Sequence, residues 1–428
     1  MEPKADIYIP LVFRSFQGFK IKDIKEWREK QHMEFVLEAD LNREHFCWRC
    51  GGLLGRQRDR YWLRARHLRV MGWTVSVCFW REKRDCKKCK KVRAERVDFL
   101  CPTAPHSTKE FAWWVSKLTT ETSVLATSRL ESVDKGICYR VDKYILRRLL
   151  EGYKIPDIKR IAVDEVYARG PKQLKEGENR DDLFFTVIVD IDTHKVIWVS
   201  KSRRKSALDE FFILLGASAC QGIEVVATDQ HEDYGASVRE HCKNATQVWD
   251  KFHLLKNFEE AANKVRIQLH EELAKDSEVK RLSRGQFRFL FLKRASDRTE
   301  KERKHIDSVL KENERFARLE IIKERMLTFF QEKDVASAKA VWEQLGDWIW
   351  QAGFGHLMDW YRNLDKGWET LKNYFLYPFT TGVAEGINRV IKGLKWQAYG
   401  YKDMEYFKLK ILQKCGYLNY RFCLIANF

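Results

Sequence analysis

Three acids stand in surroundings that make them unusual. Asp164 interrupts the apolar run IAVDEVYA, Asp229 ends the apolar run IEVVATD, and Glu385 sits among Arg389, Lys392 and Lys395 in TTGVAEGINRVIKGLK. A lone aspartate at a strand end is ordinarily a turn residue or cap. An acid four residues before a base is ordinarily half of an intrahelical ion pair, here Glu385 with Arg389. Together the three permit another chemistry. Hard divalent cations such as Mg²⁺ take oxygen ligands and keep several waters, so three carboxylates and a substrate phosphate suffice to bind them. Two such ions roughly 4 Å apart activate an attacking oxygen and stabilise a leaving one during displacement at phosphorus. At 3.6 residues per turn Glu385 shares a helix face with Asn388, Arg389 and Lys392. The bases of that helix would grip a phosphate backbone while Glu385 reaches the metal. Two close rivals are set aside: Glu165, which strand alternation sends to the opposite face, and Asp233, which falls inside the following helix.

A second ligand set lies upstream. Cys47-Trp-Arg-Cys50 and Cys86-Lys-Lys-Cys89 are separated by 35 residues. Four thiolates close a tetrahedral structural zinc site and supply folding energy that a small, loop-rich module lacks. The gap exceeds the usual ~15–20 residues, but it contains the strand-like YWLRARHLRV and WTVSVCFW, so a β-hairpin can bridge it. The competing reading is a redox or incidental pair. Cys78 and Cys101 lie nearby and read as buried thiols.

Composition narrows the partner. The 428 residues are too many for one ordinary core, so two to four domains are expected. Lys and Arg total 79 against 61 acids, a formal charge of +18 and a pI near 9.3. That excess points to nucleic acid as partner rather than a membrane. No apolar run approaches the roughly 18–20 residues that span a bilayer, and MEPKADIYIP carries no signal-peptide pattern. The 11 cysteines, with only two tight pairs, fit a reducing cytosol and a metal site better than a disulfide framework.

These residues need elements to hold them. Within residues 1–45, IKDIKEWREKQ reads as a short helix and the rest is unassigned. From 107 to 152, STKEFAWWVSKL, SVLATSRLE and DKGICYRVDKYILRRLLEGY read as three short amphipathic helices. Their spacing suits a helix-turn-helix with Lys135, Tyr139 and Arg140 facing DNA, and suits a generic three-helix packing equally well. After Pro156 the pattern is βββαβαβ, with strands at 159–168, 183–192, 195–203, 223–229 and 246–250, which indicates a mixed α/β sheet. If the first and fourth strands are neighbours, Asp164 and Asp229 converge. Residues 254 to about 375 read as helical and highly charged. Their Trp342, Trp348, Trp350, Trp360 and Trp368 read as bundle core, with stacking on extruded bases as the alternative.

The order of these features resembles the insertion-sequence transposases of the bacterial ISL3 family, over roughly residues 45 to 420. The likeness rests on IAVDEVYARG, VVATDQHEDY, VWDKFHLLKN and YPFTTGVAEGINRVIKGLKWQAYGY. It implies a multidomain α+β protein divided into 1–45 unassigned, 46–105 zinc ribbon and 106–153 helix-turn-helix. An RNase H-like core would follow at 157–253 and 376–428, interrupted by a helical insertion at 254–375. Asp164, Asp229 and Glu385 would be its DDE triad, holding two Mg²⁺ (or Mn²⁺), besides one structural Zn²⁺. Asp250 and His253 are similar to a D-x-x-H element, with His253 organising the scissile phosphate or simply a structural histidine. DNA contacts would come from Lys135, Tyr139, Arg140, Asn388, Arg389, Lys392 and Lys395. The resemblance implies a cytoplasmic, nucleoid-associated enzyme that binds double-stranded transposon ends and target DNA as a dimer or higher. It would cleave and then join. A catalytically retired DNA-binding regulator and a nuclease without joining activity are the alternatives.

Overall fold

The computed structural model describes residues 16–275, 277–379 and 382–418. Residues 1–15 of the unassigned segment, Thr380 and Thr381 of the basic helix motif, and residues 419–428 of the last core piece lie outside the described residues. The chain separates into two compact units. One runs to Lys154 and takes in Gln397–Lys414; the other comprises Ile155–Trp396 and Cys415–Tyr417. Each contains a mixed sheet, so the architecture is mixed α/β. Among the described residues no helix is long and apolar enough to cross a membrane.

The first unit is built on strands β1 (Phe19–Trp27), β2 (His32–Ala39), β3 (Leu54–Val70), β4 (Trp73–Cys86), β5 (Lys91–Ala94), β6 (Leu100–Cys101) and β7 (Ala104–Thr108). The gap between the cysteine pairs is filled by the long antiparallel hairpin β3–β4. Its two-residue turn is Met71-Gly72, both at positive φ (49° and 84°), the backbone a tight hairpin of matching twist requires. Period-two alternation buries Leu63 and Ala65 against Val75, Val77 and Phe79, leaving Trp62 and Arg64 outside. The stretch IKDIKEWREKQ is not a helix. Its first part is strand β1, paired antiparallel with β2, and a single 3-10 turn follows at Arg28–Lys30. Tertiary pairing overrides the helical pattern here, because β2 buries Phe35 and Leu37 and offers β1 a backbone ladder interrupted only by a bulge between Ile21 and Asp23.

Three helices follow at Lys109–Glu121, Val124–Glu131 and Lys135–Glu151. Each begins at a side-chain cap: Thr108 accepts from Phe111 N, Ser123 from Ala126 N, and Asp134 from Gly136 N and Ile137 N. The first and third share a core of Phe111, Ala112, Val115, Cys138, Val141 and Ile145, against which Val124 of the second packs partly buried. Residues 376–428, expected to act as one piece, divide. The helix Met404–Cys415 packs on the first and third of these helices. It is tied there by the buried pair Lys410–Asp142 (3.1 Å) and by hydrogen bonds from Tyr406 to Asp142 and from Lys410 to Thr119 O.

The second unit begins with β8 (Arg160–Tyr167), β9 (Phe184–Asp190) and β10 (Lys195–Lys201), an antiparallel meander of apolar runs. Strands β11 (Val225–Thr228) and β12 (Thr246–Trp249) then add on the other side, giving the order β10-β9-β8-β11-β12. Both crossovers are helical, with Lys205–Leu215 and Glu232–His241 as their main helices. From Lys251–Glu272 through Asn373–Leu376 the chain forms a helical body around Phe258, Phe287, Phe316, Trp342 and Ile349. Trp342 is fully buried, and Trp348, Trp360 and Trp368 pack against the same core, as bundle residues do; Trp350 is half-exposed.

Candidate active site

Strand β11 runs parallel to β8 with Val225 opposite Arg160, Val226 opposite Ile161 and Ala227 opposite Ala162. Asp229 follows β11 directly and lies near enough to Asp164 to act on its titration. The Asp164 carboxylate is held at both oxygens: Oδ1 accepts from Glu165 N at 2.7 Å and Oδ2 from Asn388 Nδ2 at 2.8 Å. Burial pushes its pKa up to about 6, with Asp229 and Asp250 adding to the rise, while the Glu165 amide and the His253 ring oppose it. Asp229 Oδ1 accepts from His231 N at 2.9 Å, closing the turn that begins the next helix.

Asp250 caps the helix Lys251–Glu272 and is 1% exposed. It accepts from His253 N at 3.2 Å and pairs with His253 Nδ1 at 2.9 Å. That bond raises the His253 pKa against the opposing effect of burial, and Asp164 and Asp229 raise it further. Asp164, Asp229, Asp250 and His253 thus form one electrostatic group of three acids and one base. Glu165 is coupled to the same acids, its pKa raised by burial and then by Asp229 and Asp164, but its side-chain contacts differ. Its cross-strand neighbour is Thr186, and its carboxylate meets Arg203 at 3.7 Å and the Tyr234 hydroxyl at 3.4 Å. Asp233 accepts from Lys205 N at 3.1 Å, inside the helix after β11. The Arg203 and Tyr234 contacts were not legible in the sequence, since no local pattern links them to β8.

The helix Gly382–Gln397 buries Ala384, Asn388, Ile391 and Leu394. Glu385 lies outside that stripe, half-exposed, and its Oε1 accepts from Arg389 Nη2 at 2.8 Å. Arg389 and Lys392 are exposed, whereas Lys395 donates to Tyr167 O at 3.2 Å and stands over the Tyr167 ring. Asn388 is turned inward, its amide on Asp164 and on Glu165 O at 3.2 Å. The structure therefore joins Asn388, rather than Glu385, directly to Asp164. The signal for this was available: Asn388 is the polar member of an i, i+4, i+7, i+10 apolar stripe.

The chemistry of the donor set fits a hard cation. Asp164 is a partly buried carboxylate among other carboxylates, and Asn388 Oδ1 is a buried acceptor with no hydrogen-bond partner. Asp164, Asp229 and Glu385 do not have their oxygens gathered within 4.8 Å; among the described residues only the four cysteines meet that distance. Carboxylates of like charge repel at such range unless a cation stands between them.

The cysteine set is closed on itself. Cys47 Sγ lies 4.0 Å from Cys89 Sγ, and Cys50 Sγ 3.5 Å from Cys86 Sγ. These bracket the ~3.8 Å edge of a tetrahedron with zinc–sulfur bonds of about 2.3 Å. Both knuckles turn alike, since Gly51 (φ 67°) and Lys90 (φ 53°), each just after its second cysteine, are left-handed. Burial would push the Cys47 thiol up, but hydrogen bonds from the Cys50 and Arg49 amides and the Cys50 and Cys86 thiols bring it down to about 7. On the helix Lys135–Glu151, Lys135 and Arg140 are exposed, while Tyr139 donates its hydroxyl to Asp403 and packs edge-on against Tyr406.

A family model described as a transposase, of the DDE type named ISL3, matches residues 161–411. The chain is similar to the transposase for insertion sequence element IS1001 of Bordetella parapertussis, 25% identical over 399 residues, covering 92% of this chain and 95% of that one. It is also similar, over 102 residues at 28% identity, to the transposase for insertion sequence element IS1557 of Mycobacterium tuberculosis. That match covers 24% of this chain and 21% of the relative.

Proposed function

The chain belongs to the ISL3 family of transposases, and we propose that it binds the terminal inverted repeats of an insertion sequence, cuts there and joins the freed end to target DNA. The reading is carried by the parallel pairing of β11 with β8, which brings Asp229, just past the end of β11, near enough to the partly buried Asp164 to raise its pKa. Asp164, Asp229 and Glu385 would hold Mg²⁺ or Mn²⁺, two ions per site. Bound there, the metal supplies Lewis acidity for attack first by water and then by a 3′-hydroxyl. His253, kept cationic to higher pH by Asp250, adds positive charge beside Asp164 and Asp229, suited to a non-bridging phosphate oxygen. The exposed Arg389 and Lys392 suit the DNA backbone. Lys135 and Arg140 suit base or phosphate contacts from a helix-turn-helix at 106–153, with residues 46–105 as a zinc ribbon beside it. On this reading 157–253 and the helix Gly382–Gln397 serve as an RNase H-like core around the helical insertion 254–375. Two ends must be held together, so the active species is a dimer or higher.

The test is a strand-transfer assay in Mg²⁺, using duplexes taken from the inverted repeats that flank the gene. Wild-type protein should cut and join; Asp164→Asn and Asp229→Asn should bind the ends and do neither. Cutting without joining would replace this reading with a nuclease, and binding alone would replace it with a DNA-binding regulator.

A further inference from the structure

Asn388 is 5% exposed on a helix whose other buried residues are Ala384, Ile391 and Leu394. Packing alone would be served better there by leucine, because a buried amide is costly unless its hydrogen bonds are made. Half of them are made. Nδ2 donates to Asp164 Oδ2 at 2.8 Å and to Glu165 O at 3.2 Å, across 224 and 223 residues of chain. An ionised carboxylate and a backbone carbonyl can only accept, so the amide cannot be flipped without setting oxygen against two oxygens. That orientation leaves Oδ1 buried and without a partner.

We propose that Asn388 is the positioning residue of Asp164, an inference that rests on the catalytic reading above. With Glu165 N on one oxygen and Asn388 on the other, the carboxylate is fixed in rotation, and each oxygen keeps a lone pair for a cation. The same bond sets the helix against β8. Glu385 lies three residues before Asn388, so fixing Asn388 on Asp164 also fixes which turn of the helix stands nearest the acids. The unpartnered Oδ1 is a neutral acceptor suited to a water of a hydrated divalent cation. Hydrogen-bond partners of ligating carboxylates typically account for a 10–100-fold effect on metal affinity or activity. Buried as it is, Asn388 acts on the acid, while the exposed Arg389 and Lys392 serve the phosphates.

The test uses the full-length protein and four readouts: Mn²⁺ binding without DNA, by calorimetry or electron paramagnetic resonance; strand-transfer rate; end-DNA affinity; and melting temperature. Asn388→Leu fills the same space without hydrogen bonds. It should keep the fold and end binding and lose about 10–100-fold in Mn²⁺ affinity and strand transfer, with excess Mn²⁺ restoring part of the rate. Asn388→Asp keeps the shape but replaces the donor with an oxygen facing Asp164. At pH 8.5 it should lose at least as much, and it tests the idea even if the leucine variant does not fold. A purely structural role would move the melting temperature and leave Mn²⁺ affinity alone. Wild-type Mn²⁺ affinity and strand transfer in either folded variant overturns the proposal. Asp164→Asn serves as the control. If it abolishes strand transfer while the Asn388 variants behave as wild type, only the positioning role falls. If Asp164→Asn itself remains active, the catalytic reading falls, and the positioning role with it.

Discussion

Replacing Glu385 with glutamine separates two roles that differ by an order of magnitude in energy. In the structure Glu385 is paired with Arg389 at 2.8 Å, with side-chain exposures of 51% and 77%. An exposed i, i+4 pair of this kind contributes about 0.3–0.5 kcal/mol. Glutamine has nearly the same helix propensity as glutamate, so nothing else in the helix should change. The expected cost is therefore about a factor of two in the folding equilibrium and roughly 1 °C in melting temperature for a unit of this size. If Glu385 is also a metal ligand, strand transfer should fall at least about 1,000-fold, which is about 4 kcal/mol at the transition state. End binding should hold or tighten, because the change removes a negative charge from a helix face bearing Arg389 and Lys392. Melting of the DNA-free protein, end-DNA titration and strand transfer in Mg²⁺ together read all three quantities. Strand transfer at near-wild-type rate in Glu385→Gln would refute the triad. A melting temperature lowered by many degrees would refute the surface-pair reading of the helix.

Zinc analysis should find one ion per chain, and Cys86→Ser or a strong chelator should unfold the cysteine end of the first unit and abolish end recognition. Among the described residues the apolar core there is only Leu54 with the cysteines themselves, against a zinc contribution of order ~10 kcal/mol; a folded, DNA-binding protein free of zinc would exclude the site. Lys410→Met should cost about 3–5 kcal/mol in denaturant titration, because it strands the fully buried Asp142, and adding Asp142→Asn should recover much of that loss. The Asp164 carboxyl titrates near 6 in the fold against about 3.9 in an unfolded chain, so the folded protein holds this proton more tightly. Stability from that proton is complete below about 3.9 and is lost as pH rises through 6. Mn²⁺ must displace the proton below that point, so its affinity should weaken about tenfold per pH unit under 6, with proton release in calorimetry at pH 5.5 and little at pH 8. End binding should fall steeply with salt, by about 0.9 in log K per log salt for each phosphate contacted. Arg140→Ala should cost roughly 1–3 kcal/mol on the cognate end alone if Arg140 reads a base, and an equal loss on random DNA would make it a backbone contact.

The sheet of the second unit was legible because its strands are near-continuous apolar runs, and such runs have few alternatives in a folded chain. The runs at 159–168, 183–192 and 195–203 give β8, β9 and β10 to within a few residues. Strand order is different in kind. Nothing in IEVVATD says that it pairs with IAVDEVYA rather than with the far edge, so the meeting of Asp164 and Asp229 stayed conditional on a neighbour relation the sequence does not contain. β1 failed for the opposite reason. FKIKDIKEW has a charge pattern that suits a helix, and only its ladder with β2 makes it a strand. The division of residues 376–428 likewise rests on buried side-chain partners, Asp142 with Lys410 and Tyr406, more than 260 residues apart.

The helix Gly382–Gln397 sharpens the distinction between what a periodic pattern contains and what it lacks. A helical wheel groups Glu385, Arg389 and Lys392 on one side and Ala384, Ile391 and Leu394 on another, and the structure respects both groups. It does not say which group meets the sheet at a catalytic acid. Asn388 lies between them, about 60° from Glu385 toward the buried stripe by the 3.6-residue turn, so the wheel alone allows it to join either side. Grouping it with the bases made it a phosphate contact. Burial decides the matter, because an amide can satisfy itself on a carboxylate and a carbonyl where lysine or arginine would bring a charge and a longer stem. A polar residue at the margin of an apolar stripe, one turn from a candidate ligand, is thus informative in itself. It needs a polar partner on the element that the stripe covers, and on β8 the side chain that accepts from Asn388 is Asp164.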